Sequence, residues 1–123
     1  MPLIYFALTI ALSLLFSSIS VGQEASYTFK TINFPGASAT APAGINARGQ
    51  IVGFYDHSGG VSGFLLDDGD FTPIDVPDSV DTRAIGINGH GDIVGEYSDR
   101  KGQMRGFVAR KAQQSNPRGV ALQ

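Results

Sequence analysis

The chain has 123 residues, is 42% hydrophobic, and carries a formal net charge of −2 with no cysteine. The missing cysteine excludes disulfides, zinc–thiolate sites, a thiol nucleophile and a lipid-attachment cysteine. Eleven acidic residues lie between Glu24 and Asp99 against Lys30, Arg48 and Arg83, and an acidic body argues against nucleic acid, whose phosphates need a basic face.

Residues 1–22 contain no Lys, Arg, Asp or Glu. Leu3 to Phe16 is almost wholly apolar, and Ser17-Ser18-Ile19-Ser20-Val21-Gly22 follows. An apolar run followed by small residues is the pattern of a secretory signal peptide, here with only the terminal amine as its positive charge. The rival reading is an uncleaved anchor. The run approaches the ~20 residues that span a bilayer, but Thr9, Ser13, Ser17 and Ser18 dilute it. Both readings place the remainder outside the cytoplasm, secreted or periplasmic. Residues 23–111 are then one domain, because so short a chain buries only somewhat over ~60% of its unfolded surface.

That domain repeats itself. Gly44-Ile45-Asn46-Ala47-Arg48-Gly49-Gln50-Ile51-Val52-Gly53-Phe54-Tyr55 returns as Gly86-Ile87-Asn88-Gly89-His90-Gly91-Asp92-Ile93-Val94-Gly95-Glu96-Tyr97, an offset of 42 residues. Phe29 matches Phe71, Ile32 matches Ile74, Pro35 matches Pro77 and Thr40 matches Thr82. Past Tyr55 and Tyr97 the offset grows by one, so Gly63-Phe64 meets Gly106-Phe107. The extra residue falls among turn compositions, where an insertion does least harm.

The matched positions have local roles. Asn46 and Gly49, like Asn88 and Gly91, suit the first and fourth positions of a turn that reverses the chain. The β-branched and aromatic residues that follow suit a strand. Each repeat, about 29–69 and 70–111, is expected to be a four-stranded antiparallel, blade-like sheet. The expected strands are residues 43–46, 50–55, 61–66 and 70–76, then 85–88, 92–97 and 104–110. The last sheet lacks a fourth strand, which residues 27–34 are expected to supply. The fold class is all-β: a partial β-propeller, or two packed sheets. Propellers close with about four to eight blades, so two must pack on each other, or copies of the chain must assemble, or the chain is part of something longer. The expected core is Ile32, Phe34, Ile45, Ile51, Val52, Phe64, Leu65, Ile74, Ile87, Ile93, Val94 and Phe107. Six bases and no acid lie from Arg100 onward, which reads as a solvated strand and tail or as a face for an anionic glycan or lipid. Residues 112–123 read as a disordered tail.

The two copies of Gly-Ile-Asn-x-x-Gly-x-Ile-Val-Gly-x-Tyr, each followed by x-Gly-Phe, resemble the HAF-family extracellular repeats of bacteria. Phe29-Lys30-Thr31-Ile32-Asn33-Phe34-Pro35 and Phe71-Thr72-Pro73-Ile74-Asp75-Val76-Pro77 carry the same resemblance, which spans residues 27–110. Ser62-Gly63-Phe64 and Arg105-Gly106-Phe107 stand where the family has His-Ala-Phe. The resemblance implies secretion and a propeller-like β repeat; it carries over no catalytic residue.

Candidate chemistry is sparse. Asp67, Asp68 and Asp70 surround Gly69, and calcium takes several oxygen ligands around such a turn. The run is too short for an EF-hand loop, and its counterpart Ala109-Arg110-Lys111 has the opposite charge, so a plain acidic hairpin competes with a calcium site. His57 and His90 read as turn residues. Asp56, His57, Ser58 and Ser62 hold the letters of a triad without a nucleophile-elbow pattern. Tyr55 and Tyr97 recur at one place in each repeat and are candidates for a shared sugar or peptide surface, or for sheet packing. No catalytic group or cofactor is expected. The expected function is a non-enzymatic binding or structural module at the cell surface or in the medium, with a glycan, a protein or another copy of the chain as partner. The alternatives are a secreted carbohydrate-active enzyme, or a remnant of one, and a calcium-dependent adhesion module.

Overall fold

The computed structural model describes residue 22 and residues 24–112. The expected signal segment (apart from residue 22) and the tail beyond residue 112 lie outside the described residues. The chain divides into two units, residues 1–30 and 31–123. In the first, residues 24–30 form neither helix nor strand.

The second unit is all-β. Its seven strands are β1 (Ala39–Ile45), β2 (Ile51–His57), β3 (Gly60–Asp67), β4 (Asp70–Ile74), β5 (Asp81–Ile87), β6 (Ile93–Ser98) and β7 (Met104–Ala109). They form one curled, half-barrel sheet, with no helix among the described residues. β1 to β4 are a four-stranded antiparallel meander. β5 to β7 are a three-stranded one. A single parallel bridge, Val61 to Asp81, joins them. Residues 24–38 form no strand. The expected fourth strand of the second sheet from residues 27–34 is therefore not made, and β7 has no partner on its outer side among the described residues.

Turn chemistry sets the hairpins. Asn46 Oδ1 accepts from the backbone N–H of Arg48 (3.1 Å) and Gln50 (3.0 Å), while Gly49 takes a φ of 77°. Asn88 Oδ1 accepts from His90 (3.0 Å) and Asp92 (2.9 Å), and Gly91 takes 87°. Asp68 and Gly69, at φ 50° and 83°, make the two-residue β3–β4 loop. Positive φ at both central residues twists the hairpin with its strands, and Asp-Gly meets that demand. The one-residue change of offset lies in the β2–β3 and β6–β7 connections: Ser58-Gly59 in the first, Asp99 to Gln103 in the second.

Several details recur at the offset of 42. The register slips between Pro42 and Gly44, and again between Ala84 and Gly86. Phe34 N–H donates to Thr40 Oγ1 (3.0 Å), and Val76 N–H to Thr82 Oγ1 (3.2 Å). A Cβ on Gly53 would clash with the Ala41 carbonyl and come within 2.9 Å of Phe64 Cε1. One on Gly95 would clash with the Arg83 carbonyl and lie 2.7 Å from Phe107 Cε1. Both strands therefore carry glycine where a backbone and an aromatic ring close in.

Strand alternation gives each meander two faces. The front of the first carries Val52, Gly63, Leu65 and Ile74; the back of the second carries Ala84, Ile87, Ile93, Phe107 and Ala109. These two faces pack on each other around Val52, Ala84 and Ile93. Arg83 lies over the Phe54 ring, 5.5 Å from its centroid. Fully burying an aliphatic side chain of this size contributes about 1.5–3 kcal/mol, so Val52 and Ile93 anchor the seam. On the back of the first meander Phe34 stacks on Tyr55 with centroids 3.6 Å apart, edge-on to Phe71 at 5.1 Å.

Of the twelve expected core residues, Val52, Phe64 and Ile93 are buried, seven are half-buried and two are exposed. Ile45 is 67% exposed and Val94 47% exposed. Ile45 lies on the back of the first meander and Val94 on the front of the second, the two faces that the internal seam leaves open. Tyr55, Ala84 and Thr82 are buried in addition to the expected set.

Candidate functional site

The turns of both meanders meet at one end of the seam. There Asn46 Nδ2 donates to Gln50 Oε1 (2.8 Å) and to the Asn88 carbonyl oxygen (2.9 Å). Beside this link lies a cleft of ≈ 460 Å³ with Leu65, Ile74 and Ile93 among its lining. Asp67 and Asp70 line one side of it, with Arg48, His90, Arg110 and Lys111 also around it. Gln50 Nε2 donates to Asp67 Oδ2 (3.1 Å). The volume is within the range of small-ligand sites, ~300–1,000 Å³. Its rim mixes both signs of charge, which suits a polar ligand more than a lone cation.

The calcium candidates fit this end poorly. Asp68 is exposed in the hairpin loop, and three cationic side chains share the cleft with Asp67 and Asp70. A divalent ion needs several convergent oxygens, and like-signed neighbours oppose it. No group of three or more His, Asp or Glu placed to hold a metal occurs among the described residues.

The tyrosines differ from each other. Tyr55 is 8% exposed beneath Phe34, so it packs and does not present a surface. Tyr97 is half-buried, 6.5 Å from Phe107 between centroids.

His57 and Ser62 do come together, with Nε2 and Oγ 2.9 Å apart. The Gly59 N–H donates to His57 Nδ1 at 3.0 Å. Nδ1 is therefore an acceptor, and in the neutral ring the proton sits on Nε2. That proton points at Ser62, so this imidazole donates to the hydroxyl. A general base must accept there. Ser62 is also buried. The pair is a strand-end brace.

Asn46, Gly49, Asn88 and Gly91 serve as turn residues. Ser98-Asp99-Arg100-Lys101-Gly102, one of the turn compositions where the offset changes, proves to hold a third turn of the same kind. Asp99 Oδ1 accepts from Lys101 N–H (2.9 Å) and Gln103 N–H (3.0 Å), with Gly102 at φ 79°. The Asp-x-x-Gly pattern of Asp99-Arg100-Lys101-Gly102 was its signal. The Gln103 N–H first, then Arg105 beside it and the Lys101 N–H, holds the Asp99 carboxyl below its ordinary value. Asp81 was not singled out from the sequence: its Oδ1 accepts from Val61 N–H (2.9 Å) and ties β5 to β3.

Among the described residues the front of the second meander is open. Ile85, Val94, Met104 and Val108 are exposed there, around shallow grooves beside Gly106 and Gly86. These four large apolar side chains form one exposed apolar patch on the sheet face. Comparison of the chain with family models, with curated proteins and with solved structures gave no match.

Proposed function

We propose that the chain is an exported, non-enzymatic module of blade-like repeats that acts by contact, through the open front face of its second meander. One observation carries this. Val52 on the front of the first meander is 0% exposed under the second, whereas Val94, its counterpart 42 residues on, is 47% exposed. The same kind of face that holds the two halves together is thus left exposed among the described residues. The apolar leader-like run at residues 1–22 and the resemblance to extracellular repeats support export. Each repeat is blade-like because its strands form a meander whose faces stack one on the next.

The test is fractionation of a bacterial host producing the full chain, wild type and Val94→Asp/Val108→Asp. The reading predicts both outside the cytoplasm, the wild type in high-mass complexes and the double variant largely free. Cytoplasmic retention of both, or identical complexes for both, overturns it.

A further inference from the structure

We infer that the occupant of the open face is a second copy of this chain, docked head to tail, whose residues 28–32 add to the free edge of β7. This rests on the contact reading above and names the partner.

The internal seam shows what such a face accepts. The front of one meander takes the back of the next, so the contact is between unlike surfaces. Among the described residues this leaves one unused surface of each kind. The front of the second meander exposes Val94, Met104 and Val108, counterparts of Val52, Val61 and Leu65. The back of the first meander exposes Ile45, whose counterpart Ile87 packs into the seam. Contacts between unlike surfaces propagate from copy to copy, closing into rings when the rotation allows.

Charge favours the same pairing. Residues 31–76 carry Asp56, Asp67, Asp68, Asp70 and Asp75 against Arg48 alone. Residues 100–111, which include β7, carry Arg100, Lys101, Arg105, Arg110 and Lys111 with no acid. An acidic first meander laid beside the bases that flank β7 gains attraction, and the reverse docking of like ends does not.

The missing strand has a donor of matching sequence. β4 pairs with β3 and then leads into β5. Residues 28–32 match β4 at the offset of 42 and lead into β1 in the same way. They stand to the first meander as β4 stands to the second, so they belong to whatever precedes that meander. In a head-to-tail assembly that is the β7 edge of the neighbouring copy. Gly106 marks the vacancy. A Cβ on its counterpart Gly63 would meet the Ile74 carbonyl at 2.8 Å and Ala84 N at 3.3 Å, whereas at Gly106 it would meet only the Gly95 carbonyl at 3.8 Å. Glycine is needed at Gly63 because β4 and β5 crowd it, and at Gly106 the same crowding arrives with the neighbour.

The register follows. β3 pairs Leu65 with Thr72 and Gly63 with Ile74. Carried to the neighbour, Val108 faces Lys30 and Gly106 faces Ile32. Residues directly opposite in an antiparallel pair have Cα atoms ~4.5–5.5 Å apart, within disulfide reach. The native chain has no cysteine to interfere.

The experiment mixes two full-length single variants, Lys30→Cys and Val108→Cys, under mild oxidation, with Lys30→Cys plus Met104→Cys as control. All three native side chains are exposed, so the fold of the single chain is not at stake. The expected result is a covalent dimer of one chain of each kind at least tenfold above the control, in which Met104 lies ~13 Å along the strand from Val108. A second pair of variants checks the ladder. Thr31→Pro matches the natural Pro73 and keeps assembly, whereas Lys30→Pro, at the place of Thr72, removes a ladder donor and lowers assembly. No dimer above the control, while Val94→Asp/Val108→Asp still lacks the complexes that the wild type forms, overturns this inference and leaves the contact reading standing. A cross-link formed within one chain in the Lys30→Cys/Val108→Cys double variant overturns it as well.

Discussion

Asn46 reaches across the seam to its own counterpart: its Nδ2 lies 2.9 Å from the carbonyl oxygen of Asn88, 42 residues further on. The same side chain folds its own turn through Oδ1. One residue type at one repeat position therefore makes the hairpin and couples the two meanders. Asn46→Asp keeps the acceptor and loses both donors, and it sets a carboxylate against a carbonyl. It should cost about 1–3 kcal/mol in urea unfolding followed by circular dichroism. A loss within a few tenths of a kcal/mol would show that the link contributes nothing.

Thr82 and Thr40 make the same hydrogen bond at different depths. Thr82 is 0% exposed, and its Oγ1 satisfies the Val76 N–H and lies 2.8 Å from Ser79 Oγ. Thr82→Val keeps the shape and leaves the part-buried Val76 N–H without its acceptor, for a loss of about 1–3 kcal/mol. Thr40 is half-buried, so water can replace its oxygen and Thr40→Val should cost less. Equal losses in paired unfolding curves would contradict this ranking.

Asp99 ties the β6–β7 turn to pH. Its carboxyl is held below the ordinary value, chiefly by the Gln103 N–H and then by Arg105 and the Lys101 N–H. A depressed folded-state value means the unfolded chain takes up the proton first. The contribution is therefore complete above the unfolded value and fades as pH falls through the folded one. Between about pH 5 and about pH 3 the wild type should lose more stability than Asp99→Asn. The asparagine keeps an acceptor oxygen, as Asn46 and Asn88 do in the other two turns. Parallel pH profiles for the two proteins would contradict the assignment. Each profile is read as the melting temperature across that range.

The calcium reading makes an opposing prediction at the other end of the sheet. With Arg48, Arg110 and Lys111 around Asp67 and Asp70, millimolar calcium should leave the melting temperature unchanged. A rise with calcium that is lost in Asp68→Asn/Asp70→Asn would restore the adhesion alternative.

The hairpins were legible because their cause is local. Asn46 to Gly49, Asn88 to Gly91 and Asp68-Gly69 each encode a turn within four residues. The strand class was legible for the same reason, and observed strand ends fall within a few residues of the expected ones, with β1 and β5 starting about four residues early. Burial was less so. Ile45 and Val94 carry the same residue types as their counterparts Ile87 and Val52, which pack in the seam, and only their place in the order of faces leaves them exposed. Tyr55 looked like a surface candidate because its cover, Phe34, comes from 21 residues earlier by way of a turn. Residues 27–34 have strand composition, but a strand also needs a partner edge, which composition does not supply.

The seam between the meanders, and the spare surfaces it leaves, are most directly tested by the mass of the purified full chain in sedimentation equilibrium. The account predicts a multiple of the single-chain mass that falls toward one chain on dilution and in Val94→Asp/Val108→Asp. A wild-type chain that stays at the single-chain mass at every concentration, with the variant indistinguishable from it, would contradict the account.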